Sequence, residues 1–155
     1  QRTIFEITMN SWSGVEGIKS TVYNCNIVQL PKEHNRAGNL TVLENKISIP
    51  FDIKRVYYLY DIPGGEGRGG HAHKNLEQYI LAASGAFDVL VDDGVNKKIF
   101  HLNRPYIGLH IIPGIWRELL NFSSGAICLV LASNKYDEND YLRDYKEFRS
   151  WKFKK

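Results

Sequence analysis

Gly65-Glu66-Gly67-Arg68-Gly69-Gly70-His71-Ala72-His73-Lys74 is the stretch that decides the fold. The glycines let the backbone turn sharply, and His71 and His73, two apart at the start of a strand pattern, project from the same side of a sheet. That side is expected to line the inside of a barrel. Imidazole ionises near neutrality, so a concave wall carrying two of them can hold a metal or move protons. The glycine-rich run leads into a strand and not a helix N-terminus, which argues against a nucleotide-hydrolase phosphate loop and leaves Arg68 at a rim, free to reach an anion.

On either side of this stretch, short β-branched and aromatic runs recur at 22–30, 39–44, 55–61, 78–83, 86–92, 98–102, 109–112, 116–121 and 126–132. Glycine, proline and asparagine clusters separate them, and Asp93-Gly94 is a strong type I′ hairpin signal. No helical period is long enough for a β-α-β crossover. The pattern therefore predicts an all-β chain of antiparallel strands closed as a sandwich or barrel, with a helical segment only at 137–152. There Asp137, Glu138 and Asp140 suit a helix start, and Tyr141, Tyr145 and Phe148 share one helical face for packing on the barrel exterior.

At 155 residues the chain suits one domain, 1–155. A net charge of +3, from 20 Lys and Arg against 17 Asp and Glu, is too balanced for a nucleic-acid surface. Lys152, Lys154 and Lys155 make the C-terminus locally basic and are expected to be solvated. Cys25 and Cys128 fall in apolar runs outside any metal or redox spacing and are expected to be buried thiols. No apolar run approaches the length of a membrane span and no signal peptide is evident, so a cytoplasmic protein without membrane contact is expected. Gln1 stands first in place of Met, which leaves open a longer parent chain.

The spacing Gly65, five residues, His71-Ala72-His73, three residues, Glu77 and then Gly85 resembles the first cupin motif, with the last interval one residue long. Near Gly108 to Gly114 the second cupin motif starts, but Trp116 and Arg117 stand where its metal histidine belongs. A catalytic metal needs at least three placed ligands and an open position. His71 and His73, with Glu77 or Gln78, lack that third histidine, and His110 is the one candidate replacement. Without a metal the imidazoles become proton carriers. Arg68 and Arg117 can then pair with phosphates, and Trp116 and Tyr57 can stack on a ligand; the competing use of each is an ion pair or a core ring.

Several further motifs agree in order: Leu30-Pro31-Lys32, residues 36–44, Ile49-Pro50-Phe51-Asp52-Ile53-Lys54-Arg55-Val56-Tyr57-Tyr58, Gly114-Ile115-Trp116-Arg117-Glu118, and residues 136–145. Together with the histidine run, they make residues 23–148 resemble the dTDP-sugar 3,4-ketoisomerase family of cupins. The resemblance implies a jelly-roll barrel and an isomerase that moves the keto group of dTDP-4-keto-6-deoxy-D-glucose from C4 to C3. That reaction lies on the route to a 3-amino-3,6-dideoxyhexose of bacterial surface polysaccharide. It also implies no metal or other cofactor, and a homodimer with exchanged N-terminal strands. His71 is then the base and His73 the shuttle between oxygens, or the reverse; Tyr57 meets sugar oxygens, Arg68 and Arg117 the diphosphate, and Trp116 the sugar or thymine. Ala37, between Arg36 and Gly38, departs from the family's Arg-Gly pair and leaves the C4 configuration of the product open. A dTDP-sugar 3,5-epimerase and a non-catalytic sugar-nucleotide-binding cupin are the alternatives.

Overall fold

The computed structural model describes residues 16–154. Its strands are β1 (Asn26–Gln29), β2 (Glu33–Asn35), β3 (Gly38–Leu40), β4 (Arg55–Leu59), β5 (Arg68–His73), β6 (Gln78–Ser84), β7 (Phe87–Asp92), β8 (Lys97–Leu102), β9 (Ile107–Ile111), β10 (Trp116–Leu120), β11 (Ile127–Ala132) and β12 (Tyr141–Leu142). One helix, α1 (Tyr145–Lys152), follows. Two five-stranded sheets form, in the orders β1-β9-β6-β11-β4 and β12-β5-β10-β7-β8, and all the strand pairings are antiparallel. The sheets face each other as the expected antiparallel jelly roll, in its two-layered form, without hydrogen bonds joining them into one closed barrel.

Alternation along each strand explains the layers. Ile80, Ala82, Leu109, Cys128 and Val130 of the first sheet meet Phe87, Val89, Val91, Leu102 and Leu119 of the second in one apolar core. Side chains of opposite parity on the first sheet, including Tyr79, Leu81 and Leu131, form a second cluster with Ile49 and Phe51, from the chain between β3 and β4. On the outside of the second sheet, Ala72, Trp116 and Leu142 are covered by Phe148 of α1. Cys25 and Cys128 are buried free thiols, and burial pushes them up to about 11 and about 12.

Three local expectations change. Val22–Asn24, the start of the first predicted strand, turn as a 3-10 helix, capped by Thr21, before β1 begins. Asp93-Gly94 does join a hairpin, but its loop spans four residues because the Asp93 carboxylate gathers the Val95 and Asn96 amides at 2.9 and 2.7 Å. The predicted helix over 137–152 splits. Asp137 caps a 3-10 turn (Glu138–Asp140), β12 then pairs with the open edge of β5, and Asp144 caps α1 by accepting the Glu147 amide at 3.0 Å. Short acidic side chains bond nearby amides so readily that they start turns as well as helices.

Lys152 is not solvated. The residue is 5% exposed, and its ammonium donates to the carbonyls of Gly17, Ser20 and Gly114 and to Ser20 Oγ, tying α1 to the start of the described chain and to the turn before β10. Gly114 adopts φ +79°, and a Cβ there would lie 1.8 Å from the Gly17 carbonyl oxygen, so only glycine permits this crossing.

Candidate active site

The open end of the space between the sheets is polar. His71 and His73 both point inward from β5, with ring centroids 4.9 Å apart and planes nearly perpendicular. Beside them, β10 contributes Arg117, opposite His71 in the register; β6 contributes Gln78, and β4 contributes Arg55 and Tyr57. Tyr141 of β12 closes the group, its ring 5.3 Å from His71 and 4.3 Å from His73. A pocket of about 560 Å³ opens here, with Arg55, Tyr57, Arg68, His71, Tyr141 and Arg143 in its wall.

Each imidazole has a defined proton position. His73 Nδ1 lies 3.0 Å from Asp140 Oδ2, and Asp140 Oδ1 accepts the Asn75 amide at 2.7 Å. The carboxylate therefore holds the proton on Nδ1, and Nε2 is left as a buried lone pair with no partner among the described residues. His71 holds a hydrogen bond to the Gly69 backbone that favours a ring proton there, and its Nε2 is likewise unpartnered among the described residues. Gly69 has φ +82°, which is what brings its peptide within reach of the ring.

Charge sets how these rings titrate. Burial, followed by the nearby Arg117 guanidinium and the His73 ring, pushes His71 down to about 2. Burial lowers His73 to about 4, against the opposing pull of its Asp140 hydrogen bond. Both rings are neutral bases at pH 7. For Asp140, burial raises the carboxyl, yet the His73 bond and the Asn75 amide leave it below the usual range.

Arg117 is 1% exposed, so it lies beneath the pocket and not on its rim. It donates from Nη1 to Gln78 Oε1 at 2.6 Å and from Nη2 to the Ile115 carbonyl at 2.8 Å. The expectation of a diphosphate contact does not fit this position. Trp116 faces the opposite side of β10, against Tyr145 and Phe148 at centroid distances of 5.3 and 5.8 Å. Period-two alternation forces this: with Arg117 inward, its neighbour must point outward, so Trp116 is a packing ring and not a ligand platform. Arg68, exposed at the start of β5, and Tyr57 do reach the pocket.

The candidate metal ligands separate by the same rule. Gln78 points inward, whereas Glu77 pairs with His110 Nε2 at 2.9 Å on the far side of the first sheet. The described residues contain no cluster of three or more His, Cys, Asp or Glu side chains placed to hold a metal ion. Sequence reasoning missed Asp140 and Tyr141 because both were assigned to a helix, and missed Arg55 because a charged residue at a strand start is usually solvated. Inward parity with Tyr57 was the signal for Arg55.

Comparison with known proteins gives the family. The family model described as "FdtA: WxcM-like, C-terminal" matches residues 23–152. The TDP-4-oxo-6-deoxy-alpha-D-glucose-3,4-oxoisomerase of Aneurinibacillus thermoaerophilus is 42% identical over 125 residues, covering 81% of this chain and 90% of that protein. This chain belongs to the FdtA-like family of sugar 3,4-ketoisomerases. Among solved structures of the family, the WlaRB TDP-quinovose 3,4-ketoisomerase of Campylobacter jejuni is 48% identical with TM-score 0.79, covering 83% of this chain and 98% of that one. A mutant of the 3,4-ketoisomerase QdtA of Thermoanaerobacterium thermosaccharolyticum, in complex with TDP-4-keto-6-deoxyglucose, is 38% identical with TM-score 0.82, covering 87% and 100%.

Proposed function

We propose that this ketoisomerase converts dTDP-4-keto-6-deoxy-D-glucose to a dTDP-3-keto-6-deoxyhexose. The observation that carries the reading is the pair of neutral imidazoles, each with an unpartnered Nε2, beside a pocket rimmed by the Arg55, Arg68 and Arg143 guanidiniums. Such a rim suits a diphosphate. The two Nε2 atoms suit two proton transfers: C3–H to C4–H, and O3–H to O4–H.

His73 is the better candidate for the carbon base. The Asp140 carboxylate, in direct contact with His73, stabilises the imidazolium that forms when the C3 proton arrives, whereas no carboxylate among the described residues forms an ion pair with His71. This favours the second of the two assignments left open by the sequence. Its neutral Nε2 takes the proton from C3 as the C3–C4 enediolate forms, exchanges it with water while the enediolate lasts, and delivers a proton to C4. His71 Nε2 takes the O3 proton and passes it to O4, so both rings end as they began. Because Nδ1 of each ring is engaged, both transfers use Nε2.

The protein is further proposed to act as a homodimer with exchanged N-terminal strands. Hairpin β2-β3 bonds only within itself among the described residues, and all six of its strand residues are exposed. Strand β4 is a sheet edge bearing exposed Val56 and Tyr58, followed by exposed Tyr60. An open edge of this kind invites a strand from a second copy. Two buried thiols and the absence of any long apolar helix among the described residues are in keeping with a cytoplasmic setting.

Incubation of the keto sugar in deuterated water, followed by NMR, tests the reading. Label at C4 of a 3-keto product is expected; label at C3 and C5 would make the protein an epimerase, and binding without exchange a non-catalytic module. His73→Ala is expected to lose carbon-label incorporation and turnover by at least about 10²-fold. His71→Ala is expected to retain C3 exchange while losing product, and the opposite pattern would exchange the two roles.

A further inference from the structure

Tyr57 sits at the end of a hydrogen-bond chain whose direction is set by chemistry alone. Arg117 is buried and its guanidinium only donates, so the Gln78 atom 2.6 Å from Nη1 must be the amide oxygen. The other end of that amide is then NH2, also a donor, and it lies 3.1 Å from the Tyr57 hydroxyl. The phenol oxygen can therefore only accept from Gln78. Its own hydrogen has to point elsewhere, and Tyr57 is in the wall of the pocket beside His71. Burial raises the phenol above its ordinary range, against the lowering pull of Arg117 and the Gln78 bond, so the hydrogen is retained.

We propose that Arg117 and Gln78 are positioning residues that fix the Tyr57 hydroxyl as a hydrogen-bond donor to the sugar oxygen on which negative charge develops in the enediolate. The inference rests on the ketoisomerase reading and deepens it. No proton is transferred from Tyr57: the C–H and O–H protons travel by the two imidazoles, and the phenol stabilises the oxyanion between those transfers. At rest both Nε2 atoms present lone pairs, and the proton that His73 Nε2 gains is delivered to C4, so the phenol is the donor whose polarity stays fixed through the reaction. The chain also gives Arg117 two effects in one place. Its charge helps to keep the histidines neutral, and its donor geometry orients the phenol.

Gln78→Glu is the deciding variant, because it is nearly isosteric and reverses one end of the chain. A carboxylate still accepts from Arg117, but its second oxygen now accepts from Tyr57 and turns the phenol hydrogen away from the pocket. Turnover of dTDP-4-keto-6-deoxyglucose by wild-type protein is measured first; its absence would defeat the ketoisomerase reading and not the polarity argument. Given turnover, Tyr57→Phe and Gln78→Glu are each expected to lower kcat by about 10² to 10³-fold with KM within about threefold. The double variant is expected to be no slower than Tyr57→Phe alone. A Gln78→Glu kcat within threefold of wild type, or an equal loss in the Tyr57→Phe background, overturns the proposal, since the latter would place the effect on the histidines.

Should Gln78→Glu not fold, as judged by its thermal transition, Tyr57→3,5-difluorotyrosine keeps the test open. Fluorination lowers the phenol's ionisation into the working pH range. With Tyr57 as the donor, kcat then falls as pH rises through that ionisation while wild type stays level. A level profile in the fluorinated protein overturns the proposal.

Discussion

At His73, burial and the Asp140 carboxylate pull in opposite directions, and burial prevails, leaving the ring at about 4. His71 lies lower still, at about 2. In the unfolded chain both return to about 6.5. Between the folded and unfolded values the unfolded chain binds more protons, so stability increases with pH across that window and is lost as pH falls below about 6.5. Each group contributes about 1.4 kcal/mol per pH unit within its window. Urea midpoints measured at pH 7.5, 6 and 5 are expected to fall only on the acid side of 6.5. The same depression keeps both rings basic where ordinary imidazoles are charged. As long as the protein stays folded, kcat/KM is expected to remain level from pH 7.5 to about 5.5, and an acid limb centred near 6.5 would contradict the burial of these rings.

Strand β10 shows how one element serves two purposes. Its inward residues, Arg117 and Leu119, support the site and the core, while its outward Trp116 anchors α1 through Tyr145 and Phe148. Trp116→Ala leaves a cavity under the helix and is expected to cost about 3 to 5 kcal/mol of unfolding free energy in chemical denaturation. With the ring outside the pocket, KM for the nucleotide sugar is expected to stay within about threefold. A large rise in KM at unchanged stability would return Trp116 to the ligand. Helix α1 itself has only eight residues, too short to persist alone, so Asp144 capping and this aromatic contact hold it in place.

In the whole molecule, the polar cluster occupies one end of the space between the sheets, and the apolar core fills the remainder. Exposed Val56, Tyr58 and Tyr60 at the β4 edge leave an apolar surface, on which the exchanged hairpin of a second copy is proposed to lie. Sedimentation equilibrium is expected to report two copies per particle. Val56→Lys with Tyr58→Lys places two charges on the exposed face of β4 and is expected to shift the protein to single chains; a dimer unaffected by this pair would place the interface elsewhere.

Local pattern was enough to reveal β4 and the strands from β6 to β11, because each is a short β-branched, aromatic or otherwise apolar run between strong turn signals. It also placed His71 and His73 on one face, since period two needs only the register of a single strand. Tyr57 and Arg68 were legible for the same reason and from their position beside the glycine turn. Opposite sidedness of Trp116 and Arg117 was implicit in that period, but which of them faced inward was not. Only the pairing of β10 with β5 put Arg117 beneath His71 and Trp116 under α1. Asp140 and Tyr141 became neighbours of His73 because β12 adds to the edge of β5, some 67 residues away along the chain. Such a contact is selected by the competition between a local helix and an unpaired sheet edge, and a free energy of that kind is settled only once the sheet exists.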